Sequence, residues 1–572
     1  MLGSYVHTTG KNKERSENRL SVKLSHTNYN QKLISVNQQL NQPHMPKLDR
    51  PSYLLVSLPS LRTKALSYAL LASLIYFVGA SSFIQAETTY PAAYKAVVNS
   101  ITVDELKTHI EFLASDSLEG REAGSQGGQA AGTYIRGFLQ KHDVKPGLDE
   151  EGYFQEFEGG FRNIIGIIPG NDPELKKEYV VIGAHYDHVG YGKPTNSRGG
   201  VGQIHNGADD NASGTAALLE VIESLSQHKE LPRRSLMFVF WDAEEMGLLG
   251  SKHWVNHPTV PLDQVAIYLN LDMVGRLNGK PLNLFGSRSS TGLRSSIVKC
   301  NHRETGVKIR FDQAIRPDSD HWPFYRKGIP FLMLHTGKDA DYHRPEDDAY
   351  KIDFEGARKC AQLLAQLSLD FSIQKEKPEY RNADRDILAG IDQQARVASP
   401  DPPRLGVAWN AEKYKQGNLL ITQVMSNTAA EKAGLKVGDE IIKIDGNSPV
   451  TAPGFAALIR SAPTKIIMQI KRMLEEKTLE IPVELAGEPV RLGIEWTTDK
   501  SEPEVIVISD IVKSSPADLA QLKVNDRIYE IGGKTFQNSE EFRDLATSLT
   551  LPFNVLVERE GLLQNIAIQS TR

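Results

Sequence analysis

The stretch YVVIGAHYDH, residues 179–188, decides how the central part of the chain folds. Its first six residues are mostly apolar, as in a buried strand, and His185 follows at the point where that strand ends. Two similar runs, 235–241 and 266–271, are each followed by acidic residues, and helical patterns separate the runs. This alternation predicts an α/β domain with a mixed, largely parallel sheet flanked by helices.

The same patterns set the expected boundaries of the elements. The predicted strands are 163–168, 179–184, 235–241, 266–271 and 330–334. The predicted helices are 103–116, 126–142, 212–226, 248–256, 292–304 and 354–371.

Carboxylate and imidazole side chains cluster where these strands end. In a sheet of this kind, functional groups gather in loops beyond the carboxyl ends of the strands. Zinc binds imidazole nitrogen and carboxylate oxygen, and a pair of metals needs a bridging carboxylate as well as terminal ligands. The segments that offer candidate ligands for two zinc-type cations are His185-Tyr186-Asp187, Asp209-Asp210, Glu244-Glu245, Asp272 and His343.

This set leaves one carboxylate over for proton transfer. Adjacent residues of an extended segment point in different directions, so one of Glu244 and Glu245 can bind a metal while its neighbour faces the bound water. Asp187 is close enough to His185 to accept its other imidazole N–H and to fix the tautomer. This inventory predicts a metallohydrolase.

Each candidate also has a structural interpretation. A single histidine at a strand end is more often structural than functional, and His188 competes with His185 for the ligand role. The segment Asp209-Asp210-Asn211 suits a helix N-cap, although capping needs one such residue and three stand together here. The joint occurrence of these groups, in order along one α/β pattern, favours the metal site.

The C-terminal part of the chain contains an internal repeat. RLGVAW at 404–409 returns as RLGIEW at 491–496, and LKVGD at 435–439 returns as LKVND at 522–526. Both pairs have the same offset, which predicts two copies of one small domain. A polar, proline-containing linker, 374–403, is expected to precede them.

The N-terminus has the pattern of a targeting segment. Residues 1–61 are predicted to be a disordered polar leader, and 62–86 a signal peptide or a membrane anchor. The expected location is therefore periplasmic or extracellular, or membrane-anchored and facing outside the cytoplasm. The net charge of −5 gives no basic face for nucleic acid. Cys300 and Cys360 could pair in such a compartment, but buried thiols are the simpler interpretation.

Residues 100–373 closely resemble the co-catalytic zinc aminopeptidase family, metallopeptidase family 28, which also includes glutamate carboxypeptidases and glutaminyl cyclases. The resemblance implies a zinc exopeptidase fold over 95–373. The matching segments are 113–124, 183–187, 207–214, 243–245, 271–273 and 342–345.

The resemblance also implies how two Zn²⁺ ions per peptidase domain would be bound. Asp209 would bridge them. His185 and Asp272 would complete one site, and Glu245 and His343 the other.

Three further features follow from the same resemblance. Glu244 would be the general base acting on a water that bridges the metals. Asp187 would orient His185. The peptide bond between Asp209 and Asp210 would be cis.

The two repeats, 404–487 and 488–572, resemble PDZ domains of the bacterial envelope-protease type. The resemblance implies a groove that takes an extended peptide by strand addition and holds its terminal carboxylate. Two spacer domains without a ligand are the alternative. The residues of the implied carboxylate-binding loops are Leu405, Gly406, Val407, Leu492, Gly493 and Ile494.

The expected function is that of an exported zinc-dependent aminopeptidase acting on peptide substrates, with peptide or protein C-termini as partners of the PDZ domains. Three alternatives stay open. The same scaffold suits a glutamate-carboxypeptidase-like or a glutaminyl-cyclase-like enzyme, and a cyclase would normally bind one zinc. The third is a PDZ-based binding protein with an inactive peptidase domain.

Overall fold

The computed structural model describes most of the chain from residue 92 onward. The described residues are 92–148, 152–383, 403–409, 419–446, 448, 455, 458–459, 462–473, 475, 477–487, 492–512 and 515–569. The predicted leader and the predicted signal peptide or anchor lie outside them. Within the described residues, no helix combines the length and the apolar character needed to cross a bilayer.

A nine-stranded sheet forms the centre of the N-terminal domain. Its strands are β1 (Lys145–Pro146), β2 (Phe154–Phe157), β3 (Phe161–Ile168), β4 (Tyr179–His185), β5 (Ser235–Trp241), β6 (Val265–Leu271), β7 (Leu282–Phe285), β8 (Ile309–Phe311) and β9 (Phe331–His335). In space they follow the order β1-β3-β5-β4-β6-β9-β7-β8, with β2 beside β3. The four central strands β5, β4, β6 and β9 are parallel, whereas β3 and β7 join this centre antiparallel. The predicted mixed sheet with a parallel centre is confirmed.

Helices cover both faces of this sheet. They are α1 (Val103–Leu113), α2 (Gln126–Lys141), α3 (Gly214–Ser226), α4 (Leu249–Asn256), α5 (Leu293–Arg303), α6 (His321–Arg326) and α7 (Phe354–Ile373). Residues of α1, α2, α3, α5 and α7 share one apolar cluster with one face of the sheet, and residues of α4 and α6 share a second cluster with the other face. The α/β layers therefore enclose two apolar cores.

Strand β5 shows why the hydrophobic runs are continuous rather than alternating. Successive side chains of a strand point to opposite faces, so a strand covered on both sides must be apolar at every position. Leu236, Phe238 and Phe240 belong to the first cluster, and Met237, Val239 and Trp241 belong to the second.

The segment after α7 differs from the expected linker. Arg381 donates its backbone N–H to the Ser289 carbonyl at 2.7 Å, and Tyr380 pairs with Ser290 in an isolated bridge. The guanidinium of Arg234 donates to several carbonyls around the end of α7. Residues 374–383 therefore lie against the N-terminal domain, and residues 384–402 lie outside the described residues. Both cysteines are buried and free.

Each C-terminal repeat contains a five-stranded antiparallel sheet. The first holds β10 (Val407–Trp409), β11 (Leu419–Val424), α8 (Ala429–Lys432), β12 (Glu440–Ile444), β13 (Lys465–Lys471) and β14 (Leu479–Glu484). The second holds β15 (Ile494–Asp499), β16 (Glu502–Ile511), α9 (Pro516–Leu519), β17 (Arg527–Ile531), α10 (Ser539–Ser548), β18 (Phe553–Arg559) and β19 (Leu562–Ile568).

Equivalent contacts recur in the two repeats. Arg472 donates to Asp439 at 2.8 Å in the first, and Arg559 donates to Asp526 at 2.7 Å in the second. The edge-to-face pair of Trp409 and Phe455 likewise returns as Trp496 and Phe542. The repeat predicted from sequence is therefore a structural repeat as well.

Gly183 in β4 supplies a test of how tightly the sheet is packed near the end of this strand. A Cβ at this position would lie 2.6 Å from both Trp241 Nε1 and the Tyr268 hydroxyl, two atoms that hydrogen bond at 2.8 Å. We expect Gly183→Ala to destabilise the domain by about 1–3 kcal/mol through overpacking.

Gly137 is the matched control, because it lies in α2 and no described atom comes within 4 Å of the place that a Cβ would take. Gly137→Ala should stabilise the helix by about 0.5–1 kcal/mol. Scanning calorimetry of both variants measures the two shifts. Equal unfolding temperatures for the variants would contradict the packing account.

Candidate metal centre

The candidate ligands meet at one edge of the sheet because the central strands are parallel. His185 is the last residue of β4, and Asp272 directly follows β6. Glu244 and Glu245 follow β5 within four residues, and His343 lies in the loop after β9. The carboxyl ends of these strands thus place residues from distant parts of the chain side by side.

Two ligand groups share one carboxylate, that of Asp210. His185 Nε2 lies 3.4 Å from Asp210 Oδ1 and 3.5 Å from Asp272 Oδ1. His343 Nε2 lies 3.2 Å from Asp210 Oδ2 and 3.0 Å from Glu245 Oε2. Two ligands held about 2.1 Å from a tetrahedral zinc are separated by about 3.4 Å, so the residues present fit a pair of zinc-type ions.

A further observation supports this fit. His343 Nε2 is buried and makes no hydrogen bond of acceptable geometry among the described residues, although it points between two carboxylates. Burial lowers the pKa of His343, but Asp210 and Glu245 outweigh that effect and raise the pKa to about 10. The surroundings therefore favour positive charge at this point, which a divalent cation supplies.

The shared carboxylate belongs to Asp210, whereas the sequence analysis assigned the bridging position to Asp209. Asp209 Oδ1 instead accepts the backbone N–H of Gly275 at 2.7 Å and the Ser213 hydroxyl at 3.2 Å. Burial raises the pKa of Asp209 well above its ordinary value, and the nearby charge of Asp347 adds to the effect. The cis bond is also one residue later than expected, between Asp210 and Asn211.

Asp187 also acts differently from the prediction. Its carboxylate accepts the backbone N–H groups of Glu244 at 3.0 Å and Glu245 at 3.3 Å. His185 Nδ1 lies 3.2 Å from the backbone carbonyl of Asp187 and 3.7 Å from its Oδ1. The carbonyl orients the imidazole, and the carboxylate orients the turn that carries both glutamates.

Glu244 completes a group with His185 and Asp272 whose ligand atoms all lie within 4.8 Å of one another. It is half-buried. Burial raises the pKa of Glu244 well above that of an exposed carboxyl, and the positive charge of His185 opposes the effect. A carboxylate in this position is a stronger base than one in water.

His188 forms, with Asp210 and Glu245, a second group whose ligand atoms all lie within 4.8 Å of one another. Its Nδ1 lies 2.8 Å from Glu245 Oε1 and 4.0 Å from Asp210 Oδ2. Its short contact with Glu245 suits a residue that fixes this carboxylate, while His343 lies close to both carboxylates. His343 is itself held by Asn196, whose carbonyl lies 2.7 Å from Nδ1.

Asp347 is a functional position that the sequence analysis missed. Its Oδ2 accepts the backbone N–H groups of Asp209 at 2.9 Å and Asp210 at 3.1 Å. Its Oδ1 accepts from the Arg276 guanidinium at 2.7 Å. The sequence shows Asp347 four residues after His343. However, nothing in the sequence around an acidic residue of a polar loop indicates that it will accept backbone N–H groups from a distant turn.

The six residues predicted to bind peptide in the repeats lie at the start of two edge strands. Gly406 and Gly493 both have φ of +80°, and a Cβ would come within 2.3 Å of Thr428 and 2.2 Å of Ser515. Leu405 and Leu492 precede these glycines, and Val407 and Ile494 begin β10 and β15. Within the described sheets, β10 has only β11 as a neighbour and β15 has only β16. The other side of β10 and of β15 is therefore where an added strand would pair.

Comparisons with known proteins match the two parts of the chain to different families. Residues 163–368 match the profile of peptidase family M28, and residues 420–472 and 490–569 match PDZ domain profiles. The leupeptin-inactivating enzyme 1 of Streptomyces exfoliatus is 30% identical over 290 residues, which are 49% of this chain and 60% of that enzyme. Aminopeptidase YwaD of Bacillus subtilis (strain 168) is 31% identical over 38% of this chain and 46% of its own length. The chain thus spans about half the length of these relatives.

Among solved structures, the LapA aminopeptidase of Legionella pneumophila aligns with 50% of this chain and 75% of its own. Its identity is 19% and the TM-score is 0.43.

Two variants, Asp209→Asn and Asp210→Asn, distinguish the roles of these neighbouring carboxylates. We expect Asp209→Asn to retain both metals, because this side chain is turned towards Gly275 and burial favours its neutral form. Asp210→Asn should lose both metals, because it removes the shared ligand. Zinc content after dialysis, measured by atomic absorption, checks this expectation, and the opposite pattern would restore Asp209 to the bridging position.

Asp347→Asn tests the support for the shared carboxylate. We expect zinc affinity to fall about 10- to 100-fold, as for other changes behind a metal ligand. Competition with a chelator of known affinity measures it. Glu346→Gln is the matched control, since this neighbouring carboxylate is exposed; an equal loss in both variants would contradict a specific role for Asp347.

Proposed function

Because residues 163–368 form a peptidase family M28 domain and two PDZ domains follow it, we propose that this chain is a zinc-dependent aminopeptidase. One observation carries the proposal. Asp210 lies near both His185 and His343, and Glu244 lies in one group with His185 and Asp272, where its carboxylate can face a water molecule as well as a metal.

The residues around the centre have distinct tasks. The chemistry supplied by bound divalent cations is a lowered pKa for water and polarisation of a carbonyl group. Glu244 accepts a proton from the attacking water and later returns it to the leaving amine. Asp187 holds the backbone of Glu244 and Glu245 so that these carboxylates keep their separate directions.

The charge of the site favours an N-terminal substrate end. The side chains that surround the ligand groups include the carboxylates of Glu244 and Asp320, and Asp320 is buried with the Ser251 hydroxyl at 2.5 Å. An ionised carboxylate here can accept hydrogen bonds from the α-ammonium group of a peptide and offers no donor to a terminal carboxylate. We therefore favour removal of N-terminal residues over a carboxypeptidase activity.

Digestion of a peptide library, read out by mass spectrometry, tests the proposal. We expect shortening from the N-terminus that stops on chelation and returns with zinc. Shortening from the C-terminus would indicate a carboxypeptidase, and N-terminal pyroglutamate without shortening would indicate a cyclase. A chain with neither reaction would be a binding protein with an inactive peptidase domain.

Export and peptide capture complete the proposed function. The apolar run within 62–86, with its basic flank, supports passage through a membrane followed by cleavage or anchoring. Cell fractionation with N-terminal sequencing of the mature protein distinguishes these outcomes. For the PDZ domains we propose strand addition of peptide C-termini to β10 and β15, because each lies at the edge of its sheet.

Glu244→Ala tests the assignment of the base. We expect the variant to keep its zinc and to lose about 10²- to 10⁴-fold in kcat, the usual contribution of a positioned general base. Hydrolysis of aminoacyl-nitroanilides gives kcat, and atomic absorption gives the zinc content.

Glu245→Ala is the matched control at the adjacent position. It should lose zinc together with activity, because Glu245 belongs to the His343 ligand group. Unchanged turnover in Glu244→Ala would exclude this residue as the base.

A further inference from the structure

The second repeat is attached to the peptidase domain along α5 and β8. Gly292, just before α5, donates its backbone N–H to the Ser501 carbonyl at 2.8 Å, and Ile309 at the start of β8 donates to the Glu560 carbonyl at 2.8 Å. The Asn301 amide donates to the Gly561 carbonyl at 2.8 Å. The contact therefore involves backbone groups of both partners, which leaves little freedom in their relative register.

The contact covers an edge strand. β8 ends the nine-stranded sheet and, within the described residues, pairs only with β7 there. The tip of the β18–β19 hairpin lies against it so closely that a Cβ on Gly561 would be 2.5 Å from Ile309 Cβ. An uncovered edge of this kind is a template for pairing with another chain, and proteins commonly cover it.

Three ion pairs flank the covered edge, one of them the exposed pair of Lys308 and Glu560 at 2.9 Å. Arg294 of α5 donates two hydrogen bonds of 2.9 Å to Glu558, which is 1% exposed. The same guanidinium lies over the Phe311 ring of β8 at 4.0 Å. Arg288 donates to Asp499 at 2.8 Å, at the turn between β15 and β16. A bidentate pair of this geometry fixes orientation as well as contributing energy.

The first repeat reverses the charges of one cross-strand pair, although Glu412 keeps the acidic character of Asp499. The cross-strand pair Arg527 and Glu558 of the second repeat corresponds to Glu440 and Lys471 of the first. The position of Glu560 corresponds to Met473, which is 81% exposed. The first repeat would therefore bring Lys471 against Arg294 if it occupied the same place, and like charges in such a contact are unfavourable.

The covered edge is connected to a candidate metal ligand. Arg310 of β8 donates to Asn283 of β7 at 2.8 Å, and Asn283 stands opposite His335 in the pairing of β7 with β9. One residue before His335, the Leu334 carbonyl accepts the backbone N–H of Asp272 at 3.3 Å. Two strands, β7 and β9, thus lie between β8 at the hairpin tip and Asp272.

We propose that the second PDZ repeat is a resident cap of the peptidase sheet that positions the metal-binding edge. The cap contacts β8, β8 pairs with β7, β7 pairs with β9, and β9 binds the backbone of Asp272. The proposal rests on the proposed metal centre for its second half only, because the capping of β8 is independent of any metal.

Two variants that act from opposite sides of the contact test the proposal in the full-length protein. Arg294→Glu reverses the charge beside Glu558, and Gly561→Val places a side chain against Ile309. Lys299→Glu is the matched control on α5, where this residue is exposed, and Lys471→Glu is the control in the first repeat. Arg294→Gln provides a milder change should the charge reversal prevent folding, which near-ultraviolet circular dichroism reports.

The first measurement is hydrogen exchange of the segment that contains Ile309. We expect about tenfold faster exchange, or more, in the two contact variants and in Arg294→Gln, with no change in the controls, because the Ile309 amide loses its partner. Unchanged exchange in all contact variants would overturn the capping.

The second measurement is zinc affinity by competition with a chelator. We expect about tenfold weaker binding in the contact variants, comparable to other changes behind a metal ligand. Faster exchange with unchanged zinc affinity would overturn the positioning role. Neither measurement depends on peptide hydrolysis, so failure of the proposed aminopeptidase activity would show separately, as a folded, zinc-binding protein without turnover.

Discussion

A single oxygen of Asp347 accepts the backbone N–H groups of Asp209 and Asp210, and the geometry of both ligand groups depends on this contact. Among the described residues, Asp210 is the carboxylate that lies near both His185 and His343. A shift of its backbone would therefore disturb both groups together rather than one of them. Arg276 balances the charge of Asp347. The ligand carboxylates are therefore not needed as partners for this guanidinium, and Asp347 remains free to hold the backbone of Asp209 and Asp210.

The parallel centre of the sheet explains why much of this site was predictable from sequence. Runs such as 179–184 and 235–241 must be apolar throughout, because both faces of the sheet are covered. Polar residues at the ends of such runs then converge on one edge. These two features alone predict that three of the candidate residues lie close together in space, namely His185, Glu245 and Asp272.

The remaining features depended on information that is not local. The choice between Asp209 and Asp210 is set by the direction of the backbone in the turn 208–213, where Asp210 and Asn211 leave helical conformation. The partner of the Asp187 carboxylate is a pair of N–H groups nearly 60 residues away in the chain. Strands β7 and β8, with four and three residues, are too short for their pattern to stand out.

The two repeats show how one scaffold acquires different neighbours. Their internal contacts, such as Asp439 with Arg472 and Asp526 with Arg559, are the same. They differ in the sign of charge at the cross-strand pair Arg527 and Glu558, whose counterparts in the first repeat are Glu440 and Lys471. Fold and docking are thus specified by separate sets of residues, and the second set can change without affecting the first.

The order of the chain gives the covered edge a consequence for biosynthesis. β8 ends at Phe311, whereas the hairpin that covers it begins at Phe553, so more than two hundred residues must be made between the two. The newly synthesised sheet therefore leaves the ribosome with β8 as an uncovered edge strand, and a neighbouring nascent or truncated chain can pair with this strand. We therefore expect a chain without the last hairpin to aggregate during synthesis in the cell, before any defect in the mature protein could be measured.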